Sequence, residues 1–361
     1  MVRGYLVLGD GTVYGGILFG RCGSAVGEVV FGTGMGGYQE NITDPSLRGQ
    51  ILVSAYPLVG NCGVSEEFSQ SDGVHIRGLV ARDLCEEPTH MYGGKTLSSF
   101  LDEHGVTGIT GVDTRDIIRK IRDEGSVLGA ITDDKVSPEV TLKKLKKTVS
   151  PMETDLVGEV SCKKAYKIGG GKELTAAVID CGTKRAVLDE LSSRFNVMVF
   201  PYDTPADVII ESRPDGIVIA DGPGNPLHGS ITGTVTKTAA TLSSHFPMYG
   251  ICMGSQIIAS ALGAEIYKMK SGHRGNNQPV KFENRVYITS QSHGFAVDAS
   301  SAEAAGFVAD QININDGTVE GCRHRDLDII TVQYRPEARP GPADTVFLFD
   351  RFGKMMKEAE R

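Results

Sequence analysis

Tyr249-Gly250-Ile251-Cys252-Met253-Gly254-Ser255-Gln256 reads as a cysteine set on a sharp turn between a buried strand and a helix. Pro247 to Ile251 is short, apolar and bounded by a proline, as a central strand is, and Met253 to Leu262 carries helix formers at helical spacing. Glycines at 250 and 254 bracket the cysteine in the Gly-x-nucleophile-x-Gly arrangement of a nucleophile elbow. The strained turn pushes the thiol outward while strand and helix crowd together behind it, so the flanking residues must be small. A helix N-terminus following directly also favours the reactive thiolate. A lone cysteine is most often a small buried hydrophobe; the two glycines and the strand-to-helix switch reverse that reading.

Around this turn the chain alternates. Strands are expected at Ala176–Asp180, Val197–Phe200, Gly216–Ala220, Val286–Thr289, Gly317–Cys322 and Ile329–Gln333, and helices at Lys184–Phe195, Ala206–Ser212, Thr232–Ser243 and Thr345–Ala359. The rhythm predicts an α/β fold whose C-terminal part, residues 173–361, is a doubly wound, mostly parallel sheet. Ligands in such sheets bind at the carboxyl ends of the strands, which is where Cys252 falls. Residues 1–150 read differently. A hairpin is expected where Tyr5–Leu8 and Val13–Phe19 flank Gly9-Asp10-Gly11-Thr12. Strands at 28–31, 50–55 and 74–79, with helices at 96–103 and 114–123, make this part a smaller α+β domain. Periodicity fades over 151–172, which ends in three glycines and is expected to be a linker.

The 361 residues suffice for two domains, with 40% hydrophobic and 23% charged residues. A net charge of -8 argues against nucleic acid as a partner, and the basic run Lys143–Lys147 suits a solvated helix face. No apolar run reaches membrane-span length and no signal-peptide pattern opens the chain, so the expected place is the cytoplasm, without a membrane. Seven cysteines and eight histidines are scattered, with no pair at metal-ligand spacing; free thiols and no metal site are expected.

Three more segments carry chemistry. Asp221-Gly222-Pro223-Gly224 follows a strand end, where glycines let backbone N–H groups approach a ligand as an oxyanion hole requires; a plain Pro-Gly turn is the competing reading. Gln291-Ser292-His293-Gly294-Phe295 reads as a polar surface loop whose aromatic residue could close over a ligand. In Gln333-Tyr334-Arg335-Pro336-Glu337 the i, i+2 spacing lets Arg335 and Glu337 face one site, although a surface ion pair is the commoner use of these residues. A Gly-x-Gly-x-x-Gly at 32–37 does not open a sustained helix, because Asp44-Pro45 follows closely, and is rejected as a nucleotide site.

Together these segments resemble the small, glutamine-hydrolysing subunit of carbamoyl-phosphate synthetase, over nearly the whole chain. Gly23–Phe31 and Gly37-Tyr38-Gln39-Glu40 to Thr43-Asp44-Pro45-Ser46 are similar to that family's own N-terminal domain. Gly222-Pro223-Gly224, Gly250-Ile251-Cys252-x-Gly254-x-Gln256, Gly272-His273-x-Gly275-x-Asn277, His293-Gly294-Phe295-Ala296-Val297-Asp298 and Pro336-Glu337-Ala338 are similar to its amidotransferase domain. The resemblance implies that Cys252 attacks the side-chain amide of glutamine, with Glu337 as a second catalytic residue, and that a glutamyl thioester forms as ammonia leaves. It implies oxyanion donors at Gly222 and Met253, and glutamine contacts at Ser46, Gly224, Gln256, Ser292, Gly294 and Phe295. It further implies a large-subunit partner that receives ammonia through a tunnel and uses ATP, Mg and bicarbonate, with no cofactor in this chain.

The sequence departs from that pattern where the chemistry is most sensitive. The family's His-Pro-Glu is Arg335-Pro336-Glu337 here, and an arginine, protonated at any relevant pH, accepts no thiol proton. Loss of general acid–base help costs about 10² to 10⁴ in rate. Ser255 stands where the family has histidine, and Ser292 where it has asparagine. Two readings stay open: a working glutaminase with His324 or His293 as substitute base, or a glutaminase-impaired scaffold supporting ammonia-dependent synthesis. A stand-alone cysteine hydrolase is a third, disfavoured by the N-terminal motifs.

Overall fold

The computed structural model describes residues 1–359 and divides after Thr154 into two compact units. The first unit contains the strands β1 (Val2–Leu8), β2 (Val13–Gly20), β3 (Ala25–Gly32), β4 (Gln50–Ser54), β5 (Leu58–Val59), β6 (Gly78–Val80), β7 (Asp83–Leu84), β8 (Thr107–Thr110) and β9 (Val127–Asp133). The hairpin forms as expected: β1 and β2 pair antiparallel with Leu6 opposite Tyr14. Seven strands close into a barrel in the order β1-β2-β8-β6-β4-β3-β9, while β5 and β7 form a separate two-stranded ladder. Closure was not foreseen, because β8 (TGIT) is short and mostly glycine and threonine, and Gly129 and Thr132 interrupt the apolar run of β9, so both give only a weak apolar signal. Side chains alternate between two clusters along the strands, as a period of two demands. Val29, Ile51 and Val53 pack with Leu6, Leu8 and the helix residues Ile117 and Ile121, whereas Val30 and Leu52 pack with Phe100 and Leu101.

The second unit, from Asp155 onward, is built on a ten-stranded sheet. Its strands are β10 (Tyr166–Ile168), β11 (Thr175–Asp180), β12 (Asn196–Pro201), β13 (Gly216–Ile219), β14 (Met248–Ile251), β15 (Ile266–Phe282), β16 (Arg285–Val297), β17 (Phe307–Asn313), β18 (Val319–His324) and β19 (Ile329–Val332). They lie in the order β10-β12-β11-β13-β14-β19-β18-β17-β15-β16. Pairing is parallel from β12 through β11, β13 and β14 to β19, and antiparallel elsewhere. The expected mostly parallel sheet is therefore a mixed one, parallel over β12-β11-β13-β14-β19 and antiparallel beyond. Beyond Ala261 the strands β15 to β18 follow one another with no more than the short helix Ala299–Ala304 between them, and such neighbours pair antiparallel.

The 151–172 stretch, expected to be a linker, carries secondary structure of its own. It contains the short helix Leu156–Val160, capped by Asp155 on the Gly158 N–H, and β10, which adds to the sheet edge. Under the parallel strands Val178, Val218, Tyr249 and Ile251 pack against Leu191, Phe349, Phe352 and Met356. The last three lie one or two turns apart on the helix Phe347–Ala359, so a single apolar face is buried. No helix among the described residues is long and apolar enough to cross a membrane. Lys143, Lys144, Lys146 and Lys147 are exposed around the end of the helix Pro138–Leu145, as a solvated face requires.

Candidate functional site

Cys252 leaves the end of β14 at φ 52° and ψ −109° and is followed at once by the helix Met253–Ala261. A non-glycine residue at positive φ costs on the order of 1–3 kcal/mol and persists only when its surroundings impose it. Here they do. The Cys252 N–H donates to the Val332 carbonyl of β19 at 2.8 Å, and its carbonyl accepts from the Ser255 N–H at 3.0 Å. The Ser255 hydroxyl also donates to that carbonyl, so the serine holds the elbow from inside. A Cβ on Gly254 would lie 1.8 Å from the Ile219 carbonyl oxygen, and one on Gly250 2.9 Å from the Gly254 oxygen. Both glycines are thus required for helix and strand to pack this closely.

Side-chain amides line the thiol. Gln333 Nε2 lies 3.6 Å from Cys252 Sγ, and Gln333 Oε1 accepts from Gln256 Nε2 at 2.9 Å. Gln256 Nε2 also donates to the Phe295 carbonyl, tying the elbow helix to β16. Gln333 is a member of the site that sequence reasoning quoted without assigning. Met253 is the first helical residue, and N–H groups in a first turn have no intrahelical partner, which suits an oxyanion donor.

Gly222 follows β13 closely. A Cβ there would meet the Cys181 carbonyl oxygen at 2.5 Å, so glycine is needed. Its N–H donates to Asp221 Oδ1 at 2.7 Å, while Asp221 Oδ2 accepts from Arg335 Nε at 3.2 Å and from its terminal nitrogen at 3.0 Å. Gly224 adopts φ 91° beside Leu156. Arg335 and Glu337 do not form the surface pair that residue statistics favour: each is about as buried as Cys252. Glu337 Oε1 instead accepts from Lys184 Nζ at 2.8 Å, and the same ammonium donates to the Ala338 carbonyl. Lys184 was not visible as a site residue, since nothing local distinguishes a lysine at the start of a helix far from Glu337.

The 291–295 segment is not a surface loop. It lies in β16, with His293 and Phe295 buried and Ser292 and Gly294 half-buried. The antiparallel register places His273 opposite His293 and Arg274 opposite Ser292. Phe295 is buried, and its carbonyl accepts from Gln256 Nε2. Both histidines considered as substitute bases have partners on both ring nitrogens. His293 Nδ1 donates to the Phe295 carbonyl, and Nε2 faces Gln291 Oε1 at 3.4 Å and Glu320 Oε1 at 3.7 Å. His324 Nδ1 accepts from the Asp326 and Leu327 N–H groups, and Nε2 donates to the Ala305 carbonyl. Burial acts to lower the pKa of His273, but hydrogen bonds to Glu320 and Asp316 outweigh it and raise it above the ordinary imidazole value. Ser46 belongs to the first unit, where it sits buried in the 3₁₀ turn Pro45–Leu47 capped by Asp44.

Comparisons with known proteins agree with this architecture. The sequence model "Carbamoyl-phosphate synthase small chain, CPSase domain" matches residues 6–131, and "Glutamine amidotransferase class-I" matches residues 177–355. A carbamoyl phosphate synthase small chain of Methanopyrus kandleri is 46% identical, covering 99% of this chain and 100% of its own. Those of Archaeoglobus fulgidus and a Nostoc species are 44% and 42% identical, each covering 99% of this chain and 99% and 96% of their own. With whole-length identity at this level and both domain models matched in order, the chain belongs to the carbamoyl-phosphate synthase small-chain family and carries its class-I glutamine amidotransferase domain.

Proposed function

We propose that the chain binds glutamine, cleaves its side-chain amide through a thioester on Cys252, and delivers ammonia to a large synthase subunit. That partner makes carbamoyl phosphate from bicarbonate with ATP and Mg, and this chain needs no cofactor of its own. The observation that carries the reading is the elbow: a strained cysteine held between two obligatory glycines at the carboxyl end of a parallel strand. We read the parallel half of the sheet as the doubly wound core of the amidotransferase, with the family domain at 1–150 and the amidotransferase at 173–361. In this reading Gly222 and Met253 supply oxyanion donors, and Gly224, Gln256, Ser292, Gly294 and Phe295 hold glutamine. Glu337 orients the groups beside the thiol through its ion pair with Lys184.

A second reading, in which hydrolysis is impaired and the chain chiefly supports ammonia-dependent synthesis, is favoured by the Arg335–Asp221 pair. Arg335 cannot shuttle a proton, Asp221 occupies the N–H of Gly222, and His293 and His324 are engaged elsewhere. Acid–base help is worth about 10² to 10⁴ in rate. Incubation of the full chain with glutamine, followed by acid quench and intact mass measurement, should trap a glutamyl adduct that Cys252→Ala lacks. A Cys252→Ala protein with undiminished glutaminase activity would sink the nucleophile assignment. An adduct that forms but turns over slowly in the reconstituted complex selects the impaired reading.

A further inference from the structure

We infer that His273, His293 and Glu320 form a binding site for a divalent d-block cation of the zinc class. One ligand atom from each residue lies within 4.8 Å of the other two. His273 Nδ1 is 2.9 Å from Glu320 Oε1, and His293 Nε2 is 3.7 Å from the same oxygen. Ligand atoms around a tetrahedral zinc with bonds near 2 Å are separated by about 3.3 Å, so small side-chain adjustments admit the ion.

The outer partners are what distinguish this cluster from an ordinary ion pair. His293 Nδ1 faces the Phe295 carbonyl at 2.9 Å and donates there, while its Nε2 is turned on Gln291 Oε1 at 3.4 Å and Glu320 Oε1 at 3.7 Å. His273 Nε2 faces Asp316 Oδ2 at 2.8 Å, which directs its Nδ1 inward in the same way. Both rings therefore have one nitrogen tied to a carbonyl or carboxylate and the other turned on a carboxylate oxygen, the arrangement by which metal-ligating histidines are oriented. Two imidazole nitrogens converge on one anionic oxygen, where a divalent cation can bind as their inner protons are released. Glu320 is fully buried, and its Oε2 has no hydrogen-bond partner among the described residues. A coordinated cation satisfies that carboxylate. Water from the His273 and Asp316 side, the more exposed side of the cluster, completes the shell and gives the ion its way in.

The strand register explains why no spacing motif announces the site. β15 and β16 bring His273 directly opposite His293, and β18 supplies Glu320 from across the sheet. The ion would sit on the same strand as the Phe295 carbonyl that binds Gln256, and so brace the wall of the glutaminase site.

The test is zinc content and cobalt spectroscopy on the full chain. After dialysis against buffered zinc and gel filtration, the wild type should retain one equivalent. His273→Gln and Glu320→Gln should retain little, and Asp316→Asn, which touches only the outer partner, should bind about 10- to 100-fold more weakly. Cobalt in place of zinc should give visible d–d bands of four-coordinate N/O character. Far-UV circular dichroism confirms that each variant is folded, and a variant that is not is replaced by the Asp316→Asn comparison. Zinc retention equal in the wild type and the folded variants, absence of retention in the wild type, or a thiolate-to-cobalt charge-transfer band placing the ion on cysteine would each overturn the assignment.

Discussion

At the residue scale the decisive feature is one substitution and its consequence for a neighbour. Arg335 is held by Asp221 in a buried pair, and Asp221 in turn holds the Gly222 N–H. Restoring histidine at 335 alone leaves Asp221 beside it. The carboxylate then favours the imidazolium, which accepts no proton, or remains as an unpaired buried charge costing about 3–5 kcal/mol. Arg335→His should accordingly be destabilised and gain little activity. The double variant Asp221→Asn with Arg335→His removes the trapping charge and should raise steady-state glutaminase turnover by about 10² or more. A single Arg335→His that matches the double variant would show that the pair does not restrain the site. The sequence made Cys252 and Arg335 legible because each stands in a recognisable local pattern. Gln333 and Lys184 were not, since their roles depend on partners brought in from other elements.

At the scale of elements, the elbow was readable because its requirements are local. Gly250, Cys252 and Gly254 must lie within a few residues of one another, and the strand and helix on either side have clean patterns. Gly254→Ala puts a methyl 1.8 Å from the Ile219 oxygen, which is backbone and cannot rotate away. Soluble yield and the thermal midpoint should both fall, with thioester formation lost as the helix shifts off β14. A Gly254→Ala chain that keeps its midpoint and its adduct would mean that the close approach is not essential. The long strand β15 was missed for the opposite reason. Register shifts between Lys268 and His273 and between Gly275 and Gln278 break the period of two. Gly272, Gly275 and Pro279 then read as loop signals within what is a continuous strand. The polar run Gln291–Phe295 reads as a loop because its polarity resembles a solvated segment, whereas Gln291 and His293 find partners within β16 itself, at Thr289 and the Phe295 carbonyl.

At the scale of the whole molecule, two domains and an α/β second half follow from length and from the alternation of patterns. Barrel closure does not, because it depends on which strand edges meet. A charge imbalance inside the second unit gives a measurable pH dependence. Burial pushes the Asp310 carboxyl up from 3.8 to about 6, against the weaker opposing pull of Arg323, and its Oδ1 has no hydrogen-bond partner among the described residues. With the folded value above the unfolded one, this group favours the folded state below pH 3.8, and that contribution is lost as pH rises through about 6. At pH 7.5 the ionised carboxylate is therefore a penalty of about 1–3 kcal/mol. Asp310→Asn should raise the thermal midpoint at pH 7.5, with the advantage shrinking between pH 6 and pH 4. An equal gain at both pH values would assign the effect to packing instead of charge.

The closed barrel also sets a timetable. One of the two edges of β1 waits for β9 at Val127–Asp133, more than a hundred residues later in the chain. At a synthesis rate of about 5–20 residues per second, that wait is on the order of ten seconds. Throughout it the hairpin β1–β2 offers an unpaired edge at the surface of the ribosome, where a neighbouring nascent chain can pair with it. The first unit is thus more exposed to mispairing while it is being made than at any time after Asp133 has emerged.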